Sequence, residues 1–369
     1  KAHEALSRCC GISEGPRFTR RMNAPYPRIR HRGTALIHRR LSAEAPPHER
    51  ELLARDVVRL AFYLPHDHPD IASGVEHAVE SYLRAVGQGP ETIHHAVIND
   101  DEGDALSEER WSYIRELLLP ERPFRFIEEL DEATARRLEK RGYATQLLLD
   151  GGARGRNGYQ LWYQARLPWR TPSPDSVSIF TATLPSEYLE LHGPMRVREL
   201  ALDMASRLRF ASGHVGLALH FYWMLSALDE PLRAELARYP GIDLRTAWLP
   251  PTRLGVRVDG VHWLNFLAQP VLGQLGGAAA LRSRIHSPGT VVHELDEERV
   301  IVSLGEHPDA GDLSTGQTLP AYREFARLLE PWLDPLSLSE RTWSDEPPRY
   351  SDMRFTEDEA RRWWRRFLD

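Results

Sequence analysis

The sequence predicts an α+β fold: a mixed, largely antiparallel sheet with layered helices and repeated strand-helix-strand units. Three observations predict it. Short apolar runs of strand length alternate with stretches of helical period along most of the chain. The order strand, Pro-marked turn, helix, strand occurs at residues 57–98, again at 175–221, and loosely from residue 256. Two apolar runs, 291–295 and 300–304, are joined by Asp296, Glu297 and Glu298, which is the pattern of a hairpin.

Each element has a local reason. The run VVRLAFYL from residue 57 is a strand, and PHDHPD breaks it. Ile71, Val75, Ala78, Val79, Tyr82 and Val86 then share one helical face. IHHAVI at 93–98 is the next strand, and Ser107 caps a helix through Leu118. FRFIEEL and a charged helix over 131–141 follow, and the glycine-rich 151–158 turns the chain into a strand at 159–167. Residues 175–184 and 213–221 are strands that enclose a helix over 197–208. The apolar stretch 256–267, ending in WLNFL, is long enough to be buried on both faces and is expected to be the central strand. Pro270 ends it, and Gly276-Gly277 is expected to let the next element pack closely. Helices over 321–333 and 356–368 close the chain.

The domain reading is a basic, flexible arm at 1–50 with one ordered piece near 34–38, an α+β body at 51–335, and a linker with a short helix at 336–369. Charge divides along these lines. Residues 1–50 hold eleven Lys and Arg against four Glu, so the net charge of −6 leaves the remainder at about −13. An acidic body disfavours nucleic acid as its ligand and suits a basic partner. The only cysteines are Cys9 and Cys10, and no apolar run reaches membrane-spanning length, so a cytoplasmic protein with no membrane partner is expected. Oligomeric state is not legible here.

Motifs for chemistry are sparse. His66, Asp67, His68 and Asp70 bring metal-ligand residue types into five positions, and a metal-dependent enzyme centred on His66 and His68 is one alternative. Without a third identifiable ligand group, a polar turn between strand and helix is the default reading. The 151–158 glycines lack the spacing of a phosphate loop, and no Gly-x-Ser-x-Gly elbow exists. Glu306, Asp309 and Asp312 lack the regularity of a calcium loop. Catalytic, cofactor and metal residues are therefore all assigned as none. A scaffold subunit using Trp363 and Trp364 is a further alternative.

Four segments carry a family resemblance: residues 168–193 (PWRTPSPDSVSIFTATLPSEYLELHG), 212–221 (SGHVGLALHF), 261–277 (VHWLNFLAQPVLGQLGG) and 300–312 (VIVSLGEHPDAGD). Together they resemble the type VI immunity family for VRR-Nuc effectors, over roughly residues 57–333. The basic arm and the last helix are expected to lie outside it. The resemblance implies a bacterial, non-catalytic immunity protein that neutralises a type VI secretion toxin, with no active-site residue to transfer. A nuclease toxin holds DNA through basic surface, which an acidic partner can occlude. The candidate contacts are Glu306, Asp309 and Asp312, with Asp296, Glu297 and Glu298 at the opposite end of the intervening strand.

Overall fold

The computed structural model describes residues 26–35, 41–42, 51–99, 101–120, 133, 144–152, 156–170, 173–221, 229–244, 253–334 and 357–369. Thirteen strands are present among them: β1 (Arg30–Ala35), β2 (Leu41–Ser42), β3 (Glu51–Leu64), β4 (His95–Ile98), β5 (Asp104–Ala105), β6 (Gln146–Asp150), β7 (Gln160–Gln164), β8 (Ser178–Pro185), β9 (Ser212–Phe221), β10 (Ile242–Asp243), β11 (Leu264–Leu267), β12 (Thr290–Glu294) and β13 (Val300–Leu304). The helices are α1 (His68–Val86), α2 (Glu108–Leu117), α3 (Ser186–Ala205), α4 (Asp229–Arg238), α5 (Val271–Gln274), α6 (Gly277–Arg284), α7 (Pro320–Leu329) and α8 (Glu357–Trp364).

Ten strands form one path, β12-β13-β11-β9-β3-β8-β7-β6-β4-β5. All pairings are antiparallel except β10 with β9, which makes the sheet mixed and largely antiparallel as the sequence predicts. The three repeated units are β3-α1-β4, β8-α3-β9 and β11-α5-α6-β12. In the second unit, β8 and β9 lie on either side of β3, each antiparallel to it.

The centre of the sheet is β3, not the stretch at 256–267. Residues 57–64 of β3 pair with β8 on one side, and 54–63 pair with β9 on the other. Its alternate residues feed two environments. Val58, Leu60, Phe62 and Leu64 join the main core with Phe180, Val215 and Phe266, while Ala61 and Tyr63 join a smaller cluster with Leu148, Trp162, Ile179 and Leu254. The expected central strand shrinks to β11 because polar residues bend the chain ahead of it. The Tyr63 hydroxyl donates to the Asp259 carboxylate, and the Asn265 side chain accepts the His262 N–H at 2.9 Å. Trp263 and Phe266 are nonetheless core residues.

Helices α1 and α3 pack together over the main core. Their approach at one end requires glycine: a Cβ on Gly74 would meet the Arg207 carbonyl oxygen at 2.4 Å. α3 starts directly after β8, earlier than the 197–208 expectation, and bends at Gly193, where φ is 78°. The Gly276-Gly277 pair also differs in part from expectation. Both residues have positive φ; a Cβ on Gly276 would meet the Ala280 Cβ of α6 at 2.7 Å, whereas one on Gly277 would meet nothing within 4 Å, so only Gly276 serves close packing and Gly277 serves backbone conformation alone.

Residues 26–35, read in the sequence as part of the arm, are held to the body. β1 pairs with residues 51–55 of β3, ahead of the stretch where β8 pairs. Arg28 and Arg30 ion-pair with Asp56 and Glu187, and Arg28 also reaches Glu190. The expected strand FRFIEEL and the helix at 131–141 fall outside the described residues, apart from residue 133.

Candidate functional site

The loop after β13 carries three of the six acidic candidates and borders a cavity of about 750 Å³. Tyr26, Tyr239 and Tyr322 contribute to its wall, with Glu306, His307, Asp309 and Asp312 along the loop side. The three acids have different circumstances. Glu306 is exposed and makes no ion pair among the described residues. Asp309 is half-buried and its carboxylate accepts the Gly311 N–H at 2.9 Å, tightening the turn. Asp312 accepts two hydrogen bonds from Arg238, at 3.0 and 2.7 Å, and also the Ser314 N–H at 3.0 Å. The Arg238 guanidinium, helped by Ser314, holds that carboxyl well below the usual carboxylate range. Glu306 is therefore the one exposed carboxylate of the three, and Asp312 is the one whose charge is met by an arginine.

The loop is fixed at its base by Trp263, whose indole N–H donates to the Gly305 carbonyl at 3.0 Å, while Ser303 donates to the same oxygen at 2.9 Å. Burial pushes the Tyr322 hydroxyl up, and that of Tyr26 up to about 12, so both face the cavity as neutral phenols.

The hairpin turn lies at the other end of β13, as the sequence implies. Asp296 is paired with Arg299 at 2.7 Å and accepts the Glu298 N–H at 3.0 Å, which shapes the turn. Glu297 and Glu298 are exposed.

The His66-Asp67-His68 segment does not form a metal site. His68 is fully buried, its Nε2 donating to the Leu118 carbonyl at 3.1 Å and its Nδ1 accepting from the Tyr163 hydroxyl at 2.8 Å. Asp67 pairs with Arg166 at 2.9 Å. Both histidine nitrogens and the carboxylate are thus committed to holding the start of α1.

Sequence reasoning missed a buried polar group formed by His214, Asp243 and His262, whose nearest ligand-type atoms lie within 4.8 Å of one another. The only hint in the sequence is polar residues interrupting apolar runs at 213–221 and 261–267. Its geometry suits a structural network better than a cation. Arg59 Nη1 already lies 3.3 Å from Asp243 Oδ2. The two imidazoles stack 3.6 Å apart at 14°, so their nitrogens project side by side instead of converging on one point.

The C-terminal tryptophans are half-buried on α8, and Phe367, three residues beyond it, is buried against the body. A family model described as type VI immunity for VRR-NUC, TsiV, matches residues 132–367. The chain belongs to this family. The TsiV match begins later than residue 57 and runs past 333 into the last helix, so α8, expected outside the resemblance, lies within it. A solved structure, the Pseudomonas aeruginosa T6SS protein PA0821, has the same fold as this TsiV-family chain. The TM-score is 0.68 at 18% identity, over 94% of this chain and 88% of that one. No curated protein matches the sequence. No helix among the described residues is long and apolar enough to cross a membrane.

Proposed function

We propose that this type VI immunity protein binds a VRR-NUC effector without chemistry of its own, covering a basic surface that the effector needs for nucleic acid. The family assignment carries this reading, and the cavity after β13 supports it. Half-buried Tyr26 offers aromatic area on its wall, and Glu306 offers charge at its edge. Such a site takes a guanidinium or ammonium side chain of the partner. Complementary charge speeds association and weakens with salt.

Asp309 and Asp312 shape the loop, so reversing them would test folding as much as binding. The cleaner variant is Glu306→Lys, compared with a Glu297→Lys, Glu298→Lys pair at the other end of β13. Binding of the purified effector is measured at low and high salt, alongside protection of cells expressing it. Glu306→Lys is expected to weaken binding about tenfold and to flatten its salt dependence. Full protection by Glu306→Lys, with loss in the hairpin-turn pair, would move the contact to that turn. An affinity indifferent to salt would sink the electrostatic reading altogether.

A further inference from the structure

The helix bearing Trp363 and Trp364 has no part in the cavity, yet it docks on the back of the elements that build it. We infer that α8 and the residues that follow it form a strut that sets the shape of loop 305–312, with Phe367 and Arg366 as its positioning residues.

Two separate routes connect the strut to the loop. In the first, the buried Phe367 ring lies 5.5 Å from the ring of Tyr322. Tyr322 lines the cavity on its other side, and its hydroxyl accepts a long hydrogen bond from the Asp309 N–H at 3.5 Å. In the second, Arg366 Nε donates to the Pro240 carbonyl at 2.8 Å. The next residue, Gly241, donates its N–H to the Ala310 carbonyl at 2.8 Å. Gly241 sits so close to the loop that a Cβ there would meet the Asp309 carbonyl oxygen at 2.1 Å.

The tryptophan has a role in this arrangement. The Arg366 guanidinium lies 3.9 Å from the centre of the Trp363 ring and 4.6 Å from that of Phe367, so stacking fixes the direction of its Nε. Arg323 of α7 donates to the Asp369 backbone oxygen at 2.6 Å, and Arg365 lies 3.7 Å from Glu330, which ties the end of the chain to α7. A helix this short is not stable alone, so its order comes from docking. The loop has little regular structure of its own, so its order comes in turn from what lies behind it.

The experiment is amide hydrogen exchange on the full chain carrying Phe367→Ala or Arg366→Gln, with effector affinity measured in parallel. Exchange at 305–312 is expected to rise about tenfold while that of β3 and β9 stays at the wild-type rate. Phe367→Leu, which restores the apolar filling, should recover most of the protection. Wild-type exchange at 305–312 in Phe367→Ala would overturn the inference. If Phe367→Ala instead loosens the whole sheet, Arg366→Gln decides on the same criterion. The binding arm rests on the proposed function above. A loosened loop with unchanged effector affinity upholds the strut and refutes the placement of the effector in the cavity.

Discussion

Trp263 connects the core to the candidate contact, and replacing it should separate those two contributions. Its side chain is 2% exposed, and its indole N–H holds the Gly305 carbonyl at the base of the loop. A buried indole removes about 150–250 Å² from water. At about 25 cal/mol per Å² that is roughly 4–6 kcal/mol, an upper bound because the unfolded chain is already partly compact. Trp263→Ala keeps the methyl and leaves a cavity, so a loss of about 3–5 kcal/mol is expected. Trp263→Phe keeps most of the apolar volume and loses the hydrogen bond. The Gly305 oxygen still accepts from Ser303, so that step should cost about 1 kcal/mol. Urea unfolding gives both values, and amide exchange at Gly305 reports the loop directly. Equal stability of Trp263→Ala and wild type would refute the packing assignment. A Trp263→Phe variant as unstable as the alanine would show that the hydrogen bond, and not burial, dominates.

Two pH effects follow from buried or capped groups. Burial pushes the His68 imidazole below its ordinary value near 6.5, partly offset by its bond to the Leu118 backbone. Between its folded value and 6.5 the unfolded chain binds the extra proton, so the stability it contributes is present above that range and lost as pH falls through it. His68→Gln should flatten the stability profile between pH 7 and 5, and an unchanged slope would remove His68 as the source. Glu324 is pushed up by its partial burial, but the Ser287 and His286 hydrogen bonds outweigh this and lower it overall. Its contribution is present above the ordinary carboxylate range and fades as pH falls through the lowered folded value. Thermal unfolding of Glu324→Gln should therefore differ from wild type at pH 7 and converge with it in acid.

Strands with a clean apolar run were legible in the sequence: β3, β8, β9 and the β12–β13 hairpin fall close to where the patterns put them. The rank of β3 was not legible. WLNFL is as apolar as LAFYL, and only long-range pairing decides which has partners along its length. Charge patterning put the acidic loop on the surface, where only Glu306 and His307 of residues 305–312 are exposed, and could not separate Glu306 from Asp312, because Arg238 lies 74 residues away. The buried meeting of His214, Asp243 and His262 is equally non-local, with each residue contributed by a different segment. The closing helix was legible with its tryptophan pair, but nothing in it indicated which surface it would cover.

The position of β3 also sets a schedule for making the protein. Its two neighbours come from residues 178–185 and 212–221, so the middle strand of the sheet is finished long before either partner exists. At bacterial or eukaryotic translation rates of about 5–20 residues per second, β3 waits roughly 8–30 s for β9 to follow it out. Until β8 emerges both edges of residues 57–64 are open, and until β9 emerges one still is, so through that interval an apolar strand must be kept from pairing with other chains. The middle strand lacks its second partner until residue 221 has been synthesised.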